Sequence, residues 1–184
     1  MTRAALSIPL AGLLSEVPGS TRHLEVVGAT IELDDGLVLA SPIDAAVDIA
    51  RTNRGVLVDA RISTSLAEEC SRCLRPAVVP LAIAIREEVL PSIDLGTGQA
   101  LDPAAEPEVA RLTDHHELDL DRLFREAISL EEPIAPLCEP DCPGLCAVCG
   151  ERLGAGHVDH DGDDVDPRLA ALQAFRVDDE ARNE

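Results

Sequence analysis

Six cysteines set in three close pairs constrain this chain more than any other feature: Cys70 with Cys73, Cys138 with Cys142, and Cys146 with Cys149. The last four fall in one short block, Cys138-Glu-Pro-Asp-Cys142-Pro-Gly-Leu-Cys146-Ala-Val-Cys149-Gly150. Zinc takes four thiolate or imidazole ligands in a tetrahedron, and a C-x-x-C turn offers two sulfurs to one ion while backbone amides point at them. Gly150 stands where such a turn must reach positive φ.

Context favours metal over disulfide. The N-terminal apolar run is broken by Pro9 and followed by Glu16, so it lacks a signal-peptide core, and no stretch approaches the ~18 apolar residues of a membrane span. The expectation is a cytoplasmic protein with no membrane association. There, paired cysteines are metal ligands or redox groups more often than structural disulfides. With two Phe, no Trp and no Tyr, the core must be aliphatic, and bound metal would supplement it.

All fifteen basic residues are Arg, and the net charge is −20. Most of the surface should therefore repel phosphate backbones. Only the segment 51–86 is basic, with six Arg against three acidic residues. If RNA is touched, Arg72 and Arg75 are the foremost candidates, beside the first cysteine pair, with Arg51, Arg54, Arg61 and Arg86 behind them. The competing view is that these arginines solvate a sheet face or pair with Asp59, Glu68 and Glu69.

The pattern along the chain predicts an α+β fold, an antiparallel β meander with a few short helices and cysteine zinc knuckles. Strand candidates are Arg22–Gly28, Thr30–Leu33, Leu37–Ala40, an alternating run through Ile43, Ala45, Val47 and Ile49, a return from Val56 to Thr64, and Val78–Val89. Asn53-Arg54-Gly55 reads as a hairpin turn with Gly at a positive-φ position. Cys70 and Cys73 then sit on a second hairpin end. Residues 91–116 read as a long surface loop. Asp119 is a helix N-cap, with Leu120, Leu123, Phe124, Ala127 and Ile128 as the buried stripe, ended by Pro133 and Pro136. An acidic linker, Asp159–Asp166, leads to a helix that starts at Asp166-Pro167 and buries Leu169, Leu172 and Phe175, with a frayed tail from Val177. Organisation divides at 133: residues 1–133 form the α+β core with the first pair and the loop, and 134–184 the knuckle segment, linker and last helix.

The six cysteines with His157 and His160 make four doublets, the complement of two four-coordinate sites. One partition gives Cys70, Cys73, Cys138 and Cys142 to one zinc and Cys146, Cys149, His157 and His160 to a second. The rival is one local site of Cys138, Cys142, Cys146 and Cys149. His115 and His116 read as surface residues. A thiol-redox role for Cys70 and Cys73 would need a helix N-terminus after a parallel strand, and their expected place is between antiparallel strands. No nucleotide-loop, nucleophile-elbow or zinc-protease motif occurs, and a closed cysteine site leaves no position for a reacting water, so no catalytic residue is expected and the chain is not expected to be an enzyme.

These motifs together, C-x-R-C-L-x-P at Cys70–Pro76, Pro-Leu-Cys138 after a helix, Cys142-Pro-Gly-Leu-Cys146-x-x-Cys149-Gly150, and Asp166-Pro167-Arg168-Leu169-Ala-Ala-Leu172, resemble the YceD family, the large ribosomal RNA subunit accumulation proteins. The resemblance covers most of the chain. It implies a non-enzymatic zinc-binding factor that supports synthesis, processing or stability of large-subunit ribosomal RNA, with one or two zinc ions. Implied partners are ribosome-assembly proteins or basic ribosomal proteins, with direct RNA contact left open. The alternatives are a protein-interaction module with structural zinc and a thiol-redox protein. Many family members carry a further C-x-C doublet where this chain has His157-Val-Asp-His160. Shorter members keep an upstream doublet with a matching downstream one, which implies Cys70, Cys73, Cys138 and Cys142 as one site.

Overall fold

The computed structural model describes residues 6–102, 104, 106–154, 156–158, 160 and 168–169. Apart from His160, Arg168 and Leu169, the acidic linker and the C-terminal helix expected from Asp166 lie outside the described residues, as does the tail from Val177. The chain divides into two compact units, Met1–Cys142 and Pro143–Glu184. Cys138 and Cys142 belong with the first unit because their sulfurs meet those of Cys70 and Cys73.

Alternation of apolar and polar residues builds the first unit. β2 (Thr21–Ala29), β3 (Leu39–Arg51), β4 (Val56–Glu69) and β5 (Pro76–Leu90) form an antiparallel meander, each paired with the next. Ile43, Ala45, Val47 and Ile49 of β3 and Val56, Val58, Ala60 and Ile62 of β4 point to one buried face, as the period of two requires. On the other face Asp48 stands opposite Asp59, a like-charge pair that would be unfavourable alone. It is flanked by His23, whose Nδ1 lies 2.8 Å from Asp48 Oδ1, and by Arg86 opposite Asp59.

Gly55 ends the β3–β4 connection, but not for its φ, which is absent from the positive set. A Cβ there would lie 2.3 Å from the Val89 carbonyl oxygen, so the residue is fixed by close approach of β5. Positive φ in the preceding connection is taken instead by Asp35 and Gly36.

Four of the described elements escape the sequence pattern because they are too short to show a period. β1 (Ser7–Pro9) pairs antiparallel with β7 (Glu117–Asp119), and α1 (Ala11–Ser15) follows β1. Within the segment expected as a surface loop, β6 (Ala110–Arg111) pairs in parallel with the end of β5, and Leu112 is buried. α2 (Leu120–Leu130) begins as expected, its Asp119 cap accepting from the Arg122 N–H at 3.2 Å. Leu120, Leu123, Phe124 and Ile128 are buried, joining Leu10, Leu13 and Leu118 against the sheet. Phe124, fully buried, contributes about 2–3 kcal/mol by burial alone.

Candidate metal centres

The β4–β5 hairpin ends in Cys70-Ser-Arg-Cys73-Leu74. The Cys70 N–H donates to the Arg75 carbonyl at 2.8 Å, and the Leu74 N–H donates to the Cys70 carbonyl at 2.8 Å. The second unit repeats this turn: the Cys146 N–H donates to the Glu151 carbonyl at 2.7 Å, and the Gly150 N–H to the Cys146 carbonyl at 2.9 Å. Gly150 has φ +72°, as the sequence demanded, while in the first turn Leu74 takes the matching position at φ +57°. A leucine gives no sequence signal for that conformation.

The chain after α2 brings the second doublet to the first. The Pro136 carbonyl accepts from both the N–H and the Oγ of Ser71, each at 2.8 Å. Cys70 Sγ then lies 3.7 Å from Cys142 Sγ, and Cys73 Sγ 3.6 Å from Cys138 Sγ. Zinc with bonds of about 2.3 Å to four sulfurs requires a tetrahedron edge of about 3.8 Å. The four sulfurs lie within 4.8 Å of one another, so the residues fit the ion. Cys70, Cys73 and Cys142 are buried, which makes this a closed site.

Electrostatics favours the thiolate form here. Burial pushes the Cys70 thiol up, but the backbone N–H groups of Cys138, Arg72 and Cys73 outweigh it and bring the group down to about 6. Cys73 is lowered by the Arg75 backbone N–H, against burial, with help from the Arg75 guanidinium. That guanidinium donates to Cys138 Sγ at 3.7 Å, and Arg72 Nη1 donates to the Cys142 carbonyl at 3.0 Å. Arg72 and Arg75, the foremost RNA candidates, are thus both engaged in holding the cluster. Of the other arginines, Arg51 donates to the Leu14 and Gly55 carbonyls, and Arg54 pairs with Glu106 at 2.7 Å rather than with Asp59, Glu68 or Glu69.

In the second unit Cys146, Cys149, His157 and His160 also converge within 4.8 Å. Cys149 Sγ lies 3.3 Å from His157 Nε2, and the two imidazoles stand edge to face with centroids 5.2 Å apart. Backbone N–H groups of Cys149 and Val148 bring the Cys146 thiol down to about 7. Cys149 is raised, because burial and the adjacent Cys146 thiolate outweigh the Glu151 N–H. This site is more open, with Cys149 and His160 exposed. Two sulfurs and two imidazoles again suit zinc. Of the two partitions open in the sequence, the geometry forms the two-cluster arrangement.

Residues 58–176 match the sequence profile of the family described as Large ribosomal RNA subunit accumulation protein YceD. The chain belongs to the YceD family. It is 34% identical over 142 residues to an uncharacterised protein of Mycobacterium tuberculosis, an alignment covering 77% of this chain and 64% of the relative. A chloroplastic protein of Zea mays named Large ribosomal RNA subunit accumulation protein YCED homolog 1 is 26% identical over 152 residues, covering 71% of this chain and 52% of that one. Its Arabidopsis thaliana namesake is 22% identical over 184 residues, covering 89% and 56%. This YceD-family chain thus spans between about half and two thirds of the length of these relatives. No solved structure matches. Among the described residues, no helix is long and apolar enough to cross a membrane.

Proposed function

We propose that this chain is a non-catalytic, zinc-binding factor of the cytoplasm that supports the synthesis, processing or stability of large-subunit ribosomal RNA. The observation that carries this reading is the family match over residues 58–176, which spans both clusters. The first zinc, on Cys70, Cys73, Cys138 and Cys142, has a structural role: it ties the segment after α2 to the β4–β5 hairpin. The second, on Cys146, Cys149, His157 and His160, organises a unit none of whose described residues belongs to the hydrophobic core cluster. Placement of Cys70 and Cys73 on an antiparallel hairpin, rather than at a helix N-terminus, supports structural metal over thiol redox chemistry.

The partners are basic ribosomal proteins or other assembly factors, a view supported by the net charge of −20 and by the engagement of Arg72 and Arg75 within the cluster. The test is depletion of the protein in its source cells, with rescue by wild type or Cys138→Ser. A selective fall in large-subunit relative to small-subunit RNA, restored only by wild type, is expected. An unchanged ratio overturns the reading and leaves a zinc-bound protein-interaction module.

A further inference from the structure

The sheet ends on the two-residue β6, so among the described residues most of the outer edge of β5 is unpaired. β5 bonds β4 without a register shift from Pro76 to Val89, whereas on its other side, among the described residues, only Val89 and Leu90 pair, with Ala110 and Arg111. In an antiparallel strand, alternate residues turn both N–H and C=O toward the same side. Leu90 turns outward, since its carbonyl accepts from the Leu112 N–H at 2.8 Å. Residues of the same parity, Ala82, Ala84, Arg86 and Glu88, therefore direct their backbone groups to the open edge. Pro76 and Pro80 share that parity, so their missing N–H groups leave the β4 ladder intact and make the first part of the edge a poor pairing partner. The stretch from Ala82 to Glu88 has no such block.

A groove of about 380 Å³ runs beside this stretch, walled by Ile83 and Ile85 of β5 and by Leu123, Ala127 and Leu130 of α2. Leu130 is 86% exposed. The rim is acidic: Glu87, Glu126 and Glu131 line it with Arg86 as the one lining cation. Arg122, just outside, pairs with Glu126 at 2.8 Å. Burial, and then the neighbouring Glu126, push the Glu87 carboxyl above its ordinary value, against the opposing pull of Arg122.

We infer that the β5 edge from Ala82 to Glu88 takes up an extended, Lys- or Arg-bearing segment of a partner protein, which adds to the sheet as a strand and seats alternate apolar side chains in the groove. The inference rests on the reading that this chain works with basic ribosomal proteins, and it adds where and how one would bind. Strand addition supplies affinity through main-chain bonds, while the groove and the acidic rim select the side chains. A nucleic acid would meet like charge here, and a second copy would bring two acidic rims together.

The test uses the full, zinc-loaded chain and a short capped peptide of alternating Val and Lys, with a Val/Glu twin as control. Expected are binding of the Val/Lys peptide alone, NMR shifts centred on 82–88, and slowed amide exchange at Ala84 and Arg86. Leu130→Ser should weaken binding about tenfold through the lost apolar wall, as should Ala84→Pro, which removes an outward donor. Leu130→Ser, at an exposed position, carries the test if Ala84→Pro does not fold. No binding at about 1 mM peptide in low salt, an affinity weaker than about −4 kcal/mol, overturns the site. So do equal binding of the Val/Glu twin, indifference to Leu130→Ser, or peptide-free dimers that protect the same amides. Failure of the peptide leaves the ribosomal RNA reading standing, and an unchanged RNA ratio with peptide binding intact overturns that reading alone.

Discussion

Replacing Cys142 by Ser separates what metal contributes to the first cluster from what packing contributes. Cys142 is 1% exposed, with its sulfur 3.7 Å from Cys70 Sγ. Serine fills nearly the same space but is a poor zinc ligand at neutral pH. Two limits bound the cost. If the first unit unfolds as a whole, the zinc cross-link closes a loop between Cys73 and Cys138, 65 positions apart, worth about 4 kcal/mol in the chain-entropy picture. If only the segment beyond Leu130 detaches, the relevant loop runs from the end of α2 to Cys138, about eight residues, and (3/2)RT ln n gives about 2 kcal/mol. Urea unfolding followed by circular dichroism, in buffered zinc, should therefore show Cys142→Ser about 2–4 kcal/mol below wild type. In chelator the gap should shrink below about 1 kcal/mol, the scale of a buried hydroxyl exchanged for a thiol. A gap that persists unchanged in chelator would refute the metal argument and assign the cost to packing. Zinc content should fall from two ions per chain to one, and loss of both or of neither would refute the division of ligands.

Gly55→Ala should destabilise the sheet by about 2–3 kcal/mol, because its Cβ would press on the Val89 carbonyl oxygen at 2.3 Å; a midpoint unchanged in urea would contradict the close approach. In reduced, metal-free protein, Cys146 should be alkylated by iodoacetamide with a midpoint near pH 7, since a lowered thiol pKa keeps the thiolate populated to lower pH; the rate should drop about fivefold from pH 7 to pH 6, and a midpoint near 8.5, read by mass spectrometry, would exclude the amide effect of Cys149 and Val148. Arg75→Ala should weaken zinc retention at the first cluster about tenfold in chelator competition, the usual scale for a lost outer partner, while leaving the second cluster unchanged.

The long strands and α2 were legible because their periods are long enough to read. Ile43 to Ile49 alternates through the middle of β3, and Asp119 with Leu120, Leu123, Phe124 and Ile128 states a cap and a stripe. β1, β6 and β7 were not, since two or three residues carry no period and are set by tertiary pairing, as Ile8 opposite Leu118 shows. Gly55 was placed correctly in a turn for the wrong reason: a glycine signals freedom of φ and close approach alike, and only the neighbour, Val89, decides between them. In the clusters, ligand identity was written in spacing, whereas the grouping of Cys70 and Cys73 with Cys138 and Cys142 depends on Ser71 gripping Pro136, a contact no spacing announces.

The same distinction changes the meaning of the basic segment. Six arginines between 51 and 86, against three acidic residues, form the most basic stretch of a chain carrying −20, and read linearly they resemble a phosphate-binding patch. In the fold Arg51 reaches the Leu14 and Gly55 carbonyls, Arg54 holds Glu106, Arg72 and Arg75 hold the cysteine cluster, Arg86 faces Asp59 across the ladder, and Arg61 is exposed. A guanidinium that donates to a main-chain carbonyl keeps its charge but loses its freedom to follow a phosphate backbone. The charge left for partners is predominantly carboxylate, and around the groove beside β5 that surface coincides, among the described residues, with unpaired main chain and exposed leucine. Recognition by this chain should then strengthen as ionic strength falls for basic peptides and weaken for RNA, opposite salt responses that one titration series can separate.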